Sequence, residues 1–108
     1  MLLFLDHATK RLQELFSILI ERFDAKKVAV CMFQENALTL KELMSIHDNT
    51  SYIEAAEQLL KMILESNENN YYDCFMNALN ETKQYHIWSW ISYPGMLIAY
   101  PGRPMLLL

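Results

Sequence analysis

The sequence predicts an all-α fold: an antiparallel bundle of six short helices with an irregular C-terminal tail. Three observations carry this expectation. The first ninety-three residues contain no glycine or proline; the two glycines and three prolines all lie beyond them. A β-rich fold needs frequent turn residues, whereas helices can be joined by short polar loops. Apolar residues make up 53% of the chain, and they recur at the three- and four-residue spacing of a helix face. Two segments also carry a hydroxyl followed three residues later by a carboxylate, the signature of a capped helix start.

The elements follow in order. Ala8, Leu12, Leu15, Phe16, Leu19 and Phe23 lie on one face of a first helix of about four turns, with Lys10, Arg11, Glu14, Glu21 and Arg22 mostly between them. Asp24 ends it and caps a second helix, which opens with Lys26 and Lys27 and buries Val28, Cys31 and Met32. A polar break at 34–38 leads to Thr39-Leu40-Lys41-Glu42, a capping box that starts a short third helix with Leu40, Leu43, Met44 and Ile46 as its apolar positions. His47 and Asp48 end it. Ser51-Tyr52-Ile53-Glu54 is a second box and opens the strongest amphipathic pattern, Ile53, Ala56, Leu59, Leu60, Ile63 and Leu64. After the loop 66–70 a fifth helix, capped by Asn70, presents Tyr72, Phe75, Met76 and Leu79; a sixth, over 84–91, presents Ile87, Trp88 and Ile91. Helices this short are marginal alone and must share one core. The expected organisation is a helical domain over residues 1–91 and an irregular apolar tail over 92–108, which holds the Pro-Gly turns.

Composition and spacing exclude several kinds of chemistry. With glycine only at 95 and 102 there is no phosphate-binding loop, dinucleotide fingerprint or nucleophile elbow. His7, His47 and His86 stand about forty residues apart, and none has a partner at metal-ligand spacing. No enzyme activity, metal or cofactor is expected. Cys31 and Cys74 both lie in apolar-periodic stretches, as buried reduced thiols do. A net charge of −4 speaks against nucleic-acid binding, which wants a basic surface. The apolar run that opens the chain, Met1–Leu5, stops at Asp6, too short for a secretory signal or a membrane span. The expectation is a cytoplasmic protein.

The ordered core pattern resembles a known one. Leu38-Thr39-x-x-Glu42-x-x-x-Ile46 is followed by Ala56-x-x-Leu59-Leu60-x-x-Ile63, then by Tyr71-x-x-x-Phe75-Met76-x-Ala78-Leu79-x-Glu81-Thr82. This is similar to the caspase recruitment domain (CARD) of the death-fold superfamily. The stretch Leu59–Leu79 most resembles the modules of apoptotic-protease-activating adaptors and cytosolic RNA sensors. The likeness spans about residues 7–91 and rests on core positions. The chain departs from the family in lacking its usual Lys-Gly step between the fourth and fifth helices, where Asn67–Asn70 stands, and in its distribution of charge.

The resemblance implies function by homotypic binding to other recruitment-domain proteins (a caspase, an adaptor or a receptor) and self-assembly, as an adaptor or decoy in apoptotic or innate immune signalling. The alternatives are a death-effector or pyrin module, or an unrelated helical binding bundle. Spacing places Lys10, Arg11, Lys26 and Lys27 as an exposed basic patch, and Glu42, Asp48, Glu54 and Glu57 as an exposed acidic patch on a different side of the bundle. The basic side of one module is expected to meet the acidic side of another.

Overall fold

The structure, a computed structural model, describes residues 10–66 and 69–93. Residues 10–14 are helical (α1). Six further helices follow: α2 (Phe16–Arg22), α3 (Ala25–Gln34), α4 (Leu40–His47), α5 (Tyr52–Glu65), α6 (Asn69–Glu81) and α7 (Tyr85–Ser92). No strand occurs among the described residues. The expected tail lies outside the described residues, as does Ala8 of the first apolar face.

The first expected helix is two. Leu15 sits between α1 and α2 with φ −95° and ψ 3°, the sparsely occupied bridge region rather than the helical well. Its carbonyl accepts from the amides of both Ile18, at 3.0 Å, and Leu19, at 2.8 Å, which tightens the turn locally. Leu12, Leu15 and Leu19 are nevertheless all fully buried. Both pieces keep their apolar sides on the core. With no proline or glycine at this point, the break is set by packing and not by local chemistry.

Asp24, Thr39 and Ser51 cap their helices as the sequence suggests. The Asp24 carboxylate accepts from the Lys27 amide, and Ser51 Oγ accepts from the amides of Ile53 and Glu54. The Thr39 box is complete: Thr39 Oγ1 accepts from the Glu42 amide at 3.1 Å, and Glu42 Oε1 accepts from the Thr39 amide at 2.9 Å. The C-termini of α3 and α6 share one solution. Asn36 and Lys83 adopt left-handed φ of 67° and 63°. Beyond them the Ala37 amide reaches the Met32 carbonyl at 2.8 Å, and the Gln84 amide reaches that of Leu79 at 2.7 Å. This is the Schellman closure that glycine usually provides. A chain without glycine here uses asparagine once and lysine once.

The core lies around α5, whose Ala55, Ala56, Leu59, Leu60 and Ile63 are buried. Helices α2, α3 and α4 pack against α5, α6 packs on α3, and α7 packs on α6. Phe75 of α6 is fully buried and meets the Phe23 ring edge-on, with centroids 5.7 Å apart. Two expected core positions of α4 are not in the core: Leu40 is 59% exposed and Met44 53%. On an eight-residue helix the arc from Leu40 and Met44 to Ile46 is too wide to bury, and the fully buried Ile46 faces the core instead. Ile53, at the start of α5, is likewise exposed.

One buried polar side chain ties the ends of the bundle. Gln84, just before α7, accepts from the Asp24 amide through Oε1 at 2.8 Å and donates through Nε2 to Thr82 Oγ1 at 2.8 Å. It joins the α6–α7 turn to the α2–α3 corner.

Two substitutions test this architecture. Phe75→Ala should lower stability by roughly 3–5 kcal/mol through the cavity and the lost ring pair. Gln84→Ala should cost about 1–3 kcal/mol, because it leaves the Asp24 amide without its acceptor. Chemical denaturation followed by far-ultraviolet circular dichroism measures both, and wild-type stability in either would refute the corresponding contact.

Candidate partner-binding surface

The eight charged residues singled out by spacing are not equally free to meet a partner. Lys10 is exposed on α1. Arg11 is not: its side chain is 15% exposed. Its Nη2 donates to the Trp90 carbonyl of α7 at 2.9 Å, and its Nη1 lies 3.5 Å from Glu14 Oε1. A guanidinium holding the last turn of another helix is a structural tie.

Lys26 and Lys27 open α3 but point differently. Lys26 Nζ donates to the Asn49 carbonyl at 2.9 Å and lies 5.6 Å from the centre of the Tyr52 ring, within cation–π range. The turn it grips, between α4 and α5, is further pinned by Asn49. Its side-chain Nδ2 donates to the Ile46 carbonyl at 3.1 Å and to Gln58 Oε1 at 2.8 Å. Lys27 is exposed. The expected separation of basic and acidic groups therefore fails at Lys26. It lies on the very turn that carries Asp48, because α3 packs against both α4 and α5.

Among the acidic residues, Glu42 is half-buried and committed to the fold. Besides closing its capping box, it accepts from the Tyr71 hydroxyl of α6 at 3.2 Å, linking α4 to α6. Asp48 at the end of α4 and Glu54 in the first turn of α5 are exposed, and Glu57 is half-buried. Of the eight, Lys10, Lys27, Asp48 and Glu54 stand exposed.

The two thiols are half-buried, not fully buried as expected. Burial pushes the Cys31 thiol up, and the nearby carboxylates of Glu81 and Glu35 add to this. Burial raises Cys74 likewise, with Glu35 and Asp73 contributing. Cys31 lines an open cleft with Lys27, Val30, Gln34, Glu81 and Thr82. A thiol held protonated there is a poor nucleophile. Among the described residues no group of three or more His, Cys, Asp or Glu side chains is placed to hold a metal ion. No described helix is long and apolar enough to cross a membrane.

The arrangement offers short helices with charged and apolar surface groups around a closed core, the build of a docking module. The family model for the caspase recruitment domain matches residues 4–91. The chain belongs to the caspase recruitment domain family. Searches of curated proteins and of solved structures each returned no significant match. The CARD family is one of protein-interaction modules and not of catalysts, and the all-helical bundle is the fold it implies. This CARD places the residues of the three quoted motifs largely as the likeness requires: Ile46, Ala56, Leu59, Leu60, Ile63, Phe75, Ala78 and Leu79 are all buried.

Spacing missed the exposed apolar residues, chiefly Leu40 and Met44 on α4 and Tyr85 and Tyr93 at the two ends of α7. A count of the arc that each short helix can bury would have found the α4 pair.

Both thiols should react slowly at neutral pH. Labelling with a thiol-specific disulfide reagent should accelerate with pH around a midpoint above that of a free cysteine, since a raised thiol holds its proton longer. Rapid labelling of the folded protein at pH 7 would contradict this placement.

Proposed function

We propose that this CARD acts in the cytoplasm as an adaptor or decoy module, binding the CARD of a caspase, adaptor or receptor in apoptotic or innate immune signalling. It does so by setting a basic face against an acidic one. The observation that supports the reading is the exposure of Lys10 and Lys27 on α1 and α3, with Asp48 and Glu54 exposed around the α4–α5 turn. Arg11, Lys26, Glu42 and Glu57 serve this surface less directly, since the first three also hold internal bonds and Glu57 is half-buried. Single exposed ion pairs contribute little, but several across one interface steer encounter and fix the partner. The same faces on two copies allow self-assembly.

Lys10→Glu with Lys27→Glu should weaken partner binding or self-association by about tenfold or more while leaving the helical spectrum intact. Glu54→Lys on the opposing module should restore part of the loss, and raising salt should weaken the wild-type interaction. Binding by the reversed protein at wild-type strength in low salt would overturn the proposal.

A further inference from the structure

A cleft opens between α3 and the end of α6. Lys27, Val30, Cys31 and Gln34 form one wall, and Glu81 with Thr82 the other. It takes up about 340 Å³, and less than half of that accommodates a benzene ring. Val30 is exposed and Cys31 half-buried, so its middle is apolar. Lys27 and Glu81 are exposed on opposite walls. Neither is in an ion pair among the described residues. The exposed Glu35 and Lys83 do not line the cleft, and their charges are opposite.

The outer side of α4 has a matching pattern. Ile46 faces the core, Glu42 accepts from the Tyr71 hydroxyl, and Ser45 Oγ accepts from Gln58 Nε2 at 2.6 Å. These engage the inner side of the helix. Lys41, Met44 and Asp48 stand at offsets 0, 3 and 7, one line along the opposite side. Asp48 keeps helical dihedrals of φ −73° and ψ −13°. Leu40 lies one turn before Met44. All four are exposed, Leu40 and Met44 by more than half. Helix α4 thus presents a cation, an apolar ridge and an anion in that order. Lys26, at the acidic end, already spends its ammonium on the Asn49 carbonyl.

We infer that α4 of one copy of this chain lies across the α3–α6 cleft of another, with Met44 in the cleft, Asp48 at Lys27 and Lys41 at Glu81. The dimensions agree. Seven residues of helix separate Lys41 from Asp48 by roughly 10.5 Å. Helices packed on one another, as α3 and α6 are, stand about 8–10 Å apart. A helix laid across the cleft brings one charge over each wall. The pairing also fixes direction, because the reversed helix would set Lys41 on Lys27 and Asp48 on Glu81. Methionine suits the centre, since its flexible, polarisable chain fills irregular gaps. The inference rests on the charge-based reading for Lys27 and Asp48, and adds an apolar anchor and a second ion pair to it.

Cys31 lines the cleft, so a thiol placed on α4 reads the contact directly. The full chain carrying Met44→Cys and Cys74→Ser is oxidised with copper phenanthroline, and the linked peptides are mapped by mass spectrometry. A disulfide from position 44 of one copy to Cys31 of another is expected. In sedimentation velocity, Met44→Ser should weaken self-association roughly tenfold with an unchanged helical spectrum. Lys41→Glu with Asp48→Lys should weaken it as much, and adding Lys27→Glu with Glu81→Lys to the same chain should restore it. A wild-type chain that stays monomeric at every concentration overturns the inference. So does a link between positions 44 of two copies, wild-type association by Met44→Ser, or a fourfold exchange that restores nothing. Association lost on Lys10→Glu with Lys27→Glu but kept on Met44→Ser would refute this contact and leave the charge-based reading standing. Association unchanged by Lys10→Glu with Lys27→Glu in low salt would refute that reading and this contact with it.

Discussion

Ala55, Ala56, Leu59, Leu60 and Ile63 form one buried face of α5, and α2, α3 and α4 all rest on it. None of these partners exceeds ten residues, below the length at which an isolated helix holds in water. Their helical state thus depends on the surface α5 offers. The two alanines, both fully buried, leave room for neighbouring backbones to come close, and the larger Leu59, Leu60 and Ile63 fill the rest of the buried face. From that seam the rest is positioned outward: α6 against α3, and α7 against α6.

This dependence explains what could be read in the chain. Periodicity found α5 and α6 because a long helix buried along one face repeats its pattern over several turns. The caps at Asp24, Thr39 and Ser51 were legible because a cap is made within three residues. The break at Leu15 was not, since its apolar face runs through unbroken and no residue there is a helix breaker. Nor could four apolar residues on an α4 of eight reveal that Leu40 and Met44 face outward while Ile46 faces inward.

The charged residues show the same limit more sharply. Arg11 finds its acceptor 79 residues away, Glu42 its hydroxyl 29 away, and Lys26 its carbonyl 23 away. In sequence each looks like a solvated charge between apolar positions. Each is drawn inward because a helix end, a tight turn or a tyrosine presents it with a carbonyl or hydroxyl. The core pattern specifies the fold closely. The surface is constrained by it only through what the fold has already engaged, so the family shows how this chain is built and leaves the exposed side chains to choose what it meets.

The bond from Arg11 to the Trp90 carbonyl also has a consequence in time. A ribosome delivers α1 well before α7, and its guanidinium has no acceptor on α7 until some eighty further residues have been added. Gln84 imposes a similar delay on the α2–α3 corner, because the Asp24 amide awaits a side chain 60 positions later. The early helices must therefore pass through synthesis with these polar groups still hydrated. Closure of the bundle becomes a late event that the emergence of α7 sets off.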